Sequence, residues 1–166
     1  FSGRILEFNP NSFVLQTPAQ NITVQPATST NIKKGGVAIS WSRLRNGDTV
    51  VLADGIYDYA KNTLTATQIV VFQPTAAFAA RNYEGVLKRI DTPRLPTTCV
   101  VVVGGAEYTV QLSLQTAVLK KGRTPAELSR FVAGDTVRFY GSLRQEENIL
   151  RDELVVDAEV VRNLNL

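Results

Sequence analysis

Five carboxylates crowd one stretch near the C-terminus: Glu146, Glu147, Asp152, Glu153 and Asp157. Paired carboxylates can perform general acid–base work on a glycosidic bond or hold calcium. Glu146-Glu147-Asn148 lacks the alternating ligand spacing of a calcium loop, however, and a solvated hairpin tip accounts for the cluster. The chain has no histidine, which removes the commonest general base and the commonest metal ligand. Its single cysteine, Cys99, sits in Thr98-Cys99-Val100-Val101-Val102-Val103, an apolar strand with no partner base. A buried structural thiol is expected there rather than a nucleophile, and one cysteine cannot form an internal disulfide. No catalytic residue, metal ligand or cofactor is assigned, and a non-enzymatic protein is expected.

Residues that could bind are better represented. Lys33-Lys34-Gly35 returns as Lys120-Lys121-Gly122. Two basic loops could meet phosphate or another anionic surface. A plain turn, with glycine at positive φ and lysines keeping it soluble, is the preferred reading. Tyr57 and Tyr59 near Lys61, and Trp41 near Arg43 and Arg45, combine aromatic faces with cations as single-strand binding requires. Core packing explains these positions equally well. Ser42-Arg43 and Ser129-Arg130 precede Gly-Asp in both copies, and pairing of each arginine with Asp48 or Asp135 is expected.

The lysine pairs belong to a longer repetition. Residues 33–50 and 120–137, 87 positions apart, share nine of 18 residues without a gap, ending in Gly47-Asp48-Thr49-Val50 and Gly134-Asp135-Thr136-Val137. Two copies of one unit read as two small domains, since a solenoid needs more repeats to bury its core. Runs rich in β-branched and aromatic residues, separated by Gly, Pro and Asn, predict strands throughout. In the first unit these are Gly3 to Phe8, Phe13 to Thr17, Asn21 to Gln25, Thr49 to Ala53 and Thr63 to Phe72, with Asn9-Pro10-Asn11 as a hairpin turn. A polar stretch from Thr28 to Gly36 and a helical turn around Ser40 to Leu44 lie between the third and fourth. The second unit predicts Tyr83 to Ile90, Thr98 to Val103, Glu107 to Leu112, Thr136 to Tyr140 and Glu153 to Val161. Gly104-Gly105 marks a tight hairpin, and Thr124-Pro125-Ala126-Glu127 reads as a capping box opening a helical turn. Gly47 and Gly134 are expected at left-handed φ where those turns end.

Five strands with a helical turn before the fourth are the plan of an OB-like barrel. The predicted architecture is all-β: one barrel over residues 1–72, a linker over 73–82 and a second barrel over 83–166. Phe78 is expected to pack between the two domains rather than float. No apolar run approaches the ~20 residues of a membrane-spanning helix. Residues 1–82 hold seven Lys/Arg against four Asp/Glu, and residues 83–166 hold eleven of each, so the net +3 is not the basic stripe of a dedicated nucleic-acid protein. The chain has no methionine and starts at Phe1, which reads as a processed chain or a piece of a longer one.

The pattern Leu44-x-x-Gly47-Asp48-x-Val50-x-Leu52, with Gly55 after it, resembles a family of small bacterial barrel domains of unknown function found largely in secreted or envelope proteins. Gly3-Arg4-Ile5 and Ala66-Thr67-Gln68-Ile69-Val70 supply the ends of the first copy. Gly85-Val86-Leu87, Gly134-Asp135-Thr136-Val137-Arg138-Phe139-Tyr140-Gly141 and Ala158-Glu159-Val160-Val161 supply the second. The second copy departs from the pattern at Phe131, where leucine belongs, and in a longer, charged connection from Ser142 to Asp152. The resemblance implies a fold and a secreted or envelope location, and no activity. The expected role is structural or adhesive, through a protein partner or self-association. The rival expectation is a single-stranded nucleic-acid-binding OB protein, which the charge balance disfavours.

Overall fold

Eleven strands alternate with short 3₁₀ turns and one α-helix in the computed structural model, which describes all of residues 1–166. The chain divides into two compact units, Phe1–Thr75 and Ala76–Leu166. The division falls inside the segment expected as a linker. Thr75–Phe78 forms a 3₁₀ turn, and Phe78 packs against the core of the second unit.

The first unit contains β1 (Gly3–Asn9), β2 (Ser12–Gln16), β3 (Asn21–Lys34), the two-residue β4 (Val37–Ala38), β5 (Thr49–Asp58) and β6 (Thr63–Val71). β1, β2 and β3 pair antiparallel in succession, β3 pairs parallel with β6, and β5 joins β6 back to β1. Those pairings close the sheet, and closure leaves few exposed edges. Alternation along β2 and β3 sends Phe13, Leu15, Ile22 and Val24 into the core, where Ile5, Leu64 and Ile69 meet them. Pro10 and Asn11 make the predicted β1–β2 turn.

The second unit repeats the plan with β7 (Arg81–Ile90), β8 (Thr97–Val103), β9 (Ala106–Lys120), β10 (Thr136–Leu143) and β11 (Val155–Asn163), closed in the order β7-β8-β9-β11-β10. Tyr83, Leu87, Val101, Val110, Phe139 and Val156 are among its core residues. The β8–β9 hairpin turns on Gly104 and Gly105 at φ 57° and 85°, the pair of left-handed residues that a two-residue hairpin demands. The predicted OB-like architecture, with a short turn ahead of the fourth barrel strand, is what the structure shows.

The departures are local. β3 and β9 run well past Gln25 and Leu112. Each loses register with the closing strand over four residues, 27–30 and 113–116, and then pairs with it again. The polar stretch from Thr28 to Gly36 is thus divided: its start lies in the bulge, Asn31 to Lys34 pair with β6 again, and Gly35-Gly36 turn. The Thr124–Glu127 segment caps no helix. Thr124 accepts from the Lys120 N–H, Pro125 bridges Leu119, and the 3₁₀ turn is Leu128–Arg130, with no side-chain cap at Glu127. The charged connection from Ser142 is not a bare hairpin tip: Gln145–Arg151 forms α1, with Glu146 and Glu147 in its first turn and Arg151 in its last, as the helix dipole favours.

Candidate functional site

Two Gly-Asp turns join the 3₁₀ turns to their barrels. Gly47 and Gly134 lie at φ 89° and 98°, as expected. Each donates its N–H to the first strand of its barrel, Gly47 to the Ile5 carbonyl and Gly134 to the Leu87 carbonyl, both at 2.8 Å. Each following aspartate turns back on the chain: Asp48 accepts from the Arg45 N–H at 3.0 Å and Asp135 from the Val132 N–H at 2.9 Å. The expected arginine pairs give way to other partners. Asp48 takes the Lys34 ammonium at 2.9 Å, and Asp135 takes the Asn163 side-chain amide at 2.5 Å. Lys34 wins because β3 ends beside this turn, and the repeated Gly-Asp is a fastening of the 3₁₀ turn to the barrel.

Each lysine pair stands where a long strand meets its turn, and in the first copy Gly35 takes the expected positive φ. Lys33 and Lys34 end β3 opposite Ala38 and Val37, so consecutive side chains leave on opposite sides. Lys33 is exposed while Lys34 is held by Asp48. The turn itself is Gly35-Gly36, at φ 57° and 83°. In the second copy, Lys120 ends β9, Lys121 is exposed, and the left-handed residue is Arg123 at φ 64° rather than Gly122.

Trp41, on the first 3₁₀ turn, lies over the barrel end with its ring stacked on Phe13 at 5.3 Å and tilted toward Phe8 at 6.0 Å. Leu128 holds the corresponding place in the second turn and is buried. Packing therefore accounts for Trp41.

Tyr57 and Tyr59 belong to a different end of the barrel. β5 extends to Asp58, five residues beyond the predicted strand, so Tyr57 is a strand residue opposite Leu64. Its ring meets Phe1 at 4.9 Å and Tyr59 edge-on at 4.8 Å. Its hydroxyl donates to the Asn62 side-chain oxygen and accepts from the Gln20 amide at 3.1 Å. Tyr59 stands 87% exposed and Ile56 77% exposed in the same segment, an unusual pair of solvated apolar side chains. Leu52 is exposed further along β5. Asp58 ties the turn by accepting from the Ala60 and Lys61 N–H groups.

These candidates do not converge. Lys34 pairs with Val71 at the end of β6, whereas Tyr57 faces Leu64 at its start. Seven residues of strand separate them by about 23 Å at roughly 3.3 Å per residue. The outward residues of β2 and β3, where OB barrels hold oligonucleotides, are Val14, Gln16, Thr23 and Gln25, with no ring or cation among them. Their counterparts on β8 and β9 are Thr98, Val102, Glu107, Thr109 and Gln111, with Val100 on the same parity but buried. Sequence reading missed Ile56 and Leu52. For Ile56 the signal, an apolar residue on the outward parity of β5, was hidden because the strand was ended at Ala53, whereas Leu52 lay inside the predicted strand.

Cys99 is 2% exposed, and burial first, then the charge of Asp91, pushes its thiol up to about 12. It carries no thiolate near neutral pH. No group of three or more His, Cys, Asp and Glu side chains is placed to hold a metal ion. No helix is long and apolar enough to cross a membrane. No family model and no curated protein matches the chain.

Proposed function

We propose that this chain is a non-enzymatic interaction module of a secreted or envelope-associated protein, and that it self-associates through the Ile56–Tyr59 segment of its first barrel. The observation that carries the reading is the exposure of Ile56 and Tyr59 beside the tilted Phe1–Tyr57 ring pair. A solvated aliphatic and aromatic cluster costs free energy unless a partner covers it. Asp58 and Lys61 flank it with opposite charges, so a twofold contact can pair them crosswise without a net repulsion. The location rests on the family resemblance of the Gly-Asp-x-Val segments. A non-enzymatic role is supported by the protonated, buried Cys99 and the missing histidine.

The nucleic-acid reading is weaker because the β2–β3 and β8–β9 faces offer no stacking platform, and Lys34 and Trp41 are engaged within the fold. Sedimentation velocity of the 166-residue chain, alone and with a single-stranded oligonucleotide at low and moderate salt, tests the choice. Self-association indifferent to the oligonucleotide is expected. A complex with the oligonucleotide that dissolves as salt rises would overturn it.

A further inference from the structure

The second barrel has a feature the first lacks. Its β7–β8 connection, Asp91–Pro96, is long, where the first barrel uses only Pro10 and Asn11. Between that connection, β9 and the Leu128–Arg130 turn lies a groove of about 740 Å³. Its walls are Pro93, Leu95, Val118, Ala126 and Leu128, with Arg94 and Glu127 at the mouth. At Thr116 it meets a second depression of about 720 Å³ over the β9 bulge. Polar side chains, Gln111, Ser113, Gln115, Arg144, Asp157 and Glu159, share its lining with as much apolar surface. Arg144 grips both oxygens of Asp157 at 2.7 Å, so that carboxylate is neutralised. Glu159 is exposed and unpaired.

We infer that this two-part groove binds an extended peptide segment of a partner protein, an aliphatic side chain entering the apolar part and a lysine or arginine meeting Glu159. The apolar part is wide enough for a branched side chain, and the volume of each part lies in the range of ordinary ligand sites. The second part offers side-chain amides suited to peptide backbone, and its one charge outside an ion pair, Glu159, is negative and favours a cation over a phosphate. An extended chain places successive same-side residues about 7 Å apart, so the two recognised side chains stand about two to four positions from each other. This site is independent of the first-barrel contact proposed above.

The test is selection of a random dodecapeptide library on the full 166-residue chain, followed by fluorescence polarisation with the enriched sequence as a labelled synthetic peptide. Enrichment of an aliphatic residue followed by lysine or arginine is expected. Glu159→Gln should weaken binding about tenfold and should not weaken a peptide whose basic residue is replaced by glutamine. Ala126→Trp, which fills the groove, should abolish binding of both peptides. Because Glu159 is exposed, its variant folds even where a groove-filling change does not. Failure to enrich any peptide would overturn the inference, as would peptides without the basic residue or binding unmoved by Glu159→Gln. Binding of an N-acetylglucosamine tetramer, lost in Ala126→Trp, in place of peptide would overturn it in favour of a glycan site.

Discussion

Thr116 donates its hydroxyl to the Ala158 carbonyl at 2.7 Å, and Thr30 does the same to Ala66 at 2.9 Å in the other barrel. Each threonine closes a four-residue bulge and returns its strand to parallel register with the closing strand. Thr116 Oγ1 also accepts from the Ser113 N–H at 2.8 Å, and the Thr30 hydroxyl shares its one proton between Ala66 and the Ala27 carbonyl at 3.0 Å. One device thus recurs outside the segment where the sequence visibly repeats.

Thr116→Val keeps the shape and removes the hydroxyl, leaving the Ala158 carbonyl and Ser113 N–H unpaired in a site that is 5% exposed. A loss of about 1–3 kcal/mol is expected from urea unfolding, with a smaller loss for Thr30→Val, whose site is half-buried.

Gly141 faces the same alanine. A Cβ there would lie 2.1 Å from the Asp157 carbonyl oxygen and 2.8 Å from the Ala158 Cα. Gly55 stands equally close to Thr65 and Ala66, with 2.1 and 2.9 Å. Gly141→Ala must therefore push two strands apart and should destabilise the barrel by about 3 kcal/mol or more. Gly122→Ala is the internal control: nothing lies within 4 Å and its φ is not positive, so the unfolding midpoint should stay within experimental error. Equal effects of the two substitutions would contradict the close approach.

Cys99 makes stability depend on alkaline pH. The unfolded thiol ionises near its ordinary pKa of about 8.5, while the folded one holds its proton to about 12. Above the unfolded value the unfolded state binds fewer protons, so stability falls as pH rises across that window. Cys99→Ala should show a shallower decline between about pH 9 and pH 11 than the parent protein. Iodoacetamide should label Cys99 only as the protein unfolds.

The fold was legible because its markers are local. Gly104-Gly105 sets one hairpin, Gly47-Asp48 and Gly134-Asp135 set the turns, and strand alternation names the core from Phe13 to Phe139. The bulges were not legible, since Thr30 and Thr116 act on carbonyls 36 and 42 residues away and no short window reports that pairing. The helical turn before Gly134 was legible but its cap was not, because Thr-Pro-Ala-Glu also suits an extended bridge to β9. Of the candidate site, Tyr57 and Tyr59 were visible as aromatics near Lys61, and only Tyr59 proves exposed. The groove was not, because Pro93, Val118 and Leu128 meet only through the closed barrel.

Arg144→Ala releases Asp157 and the weaker contact to Glu147 at 3.4 Å. Both partners are partly solvated, so less than about 1 kcal/mol of stability is at stake. The larger expected effect is a gain of negative potential over the β9 bulge. Binding of the basic peptide described above should strengthen as salt is lowered, more steeply than in the parent protein.

Light scattering after size-exclusion chromatography, over a hundredfold range of protein concentration, bears most directly on the proposed role. The parent chain should shift from monomer mass toward dimer mass as concentration rises, while Ile56→Ser combined with Tyr59→Ser stays monomeric with an unchanged melting temperature. A parent chain that remains monomeric at every concentration, or a double variant that associates as the parent does, would contradict self-association through this face.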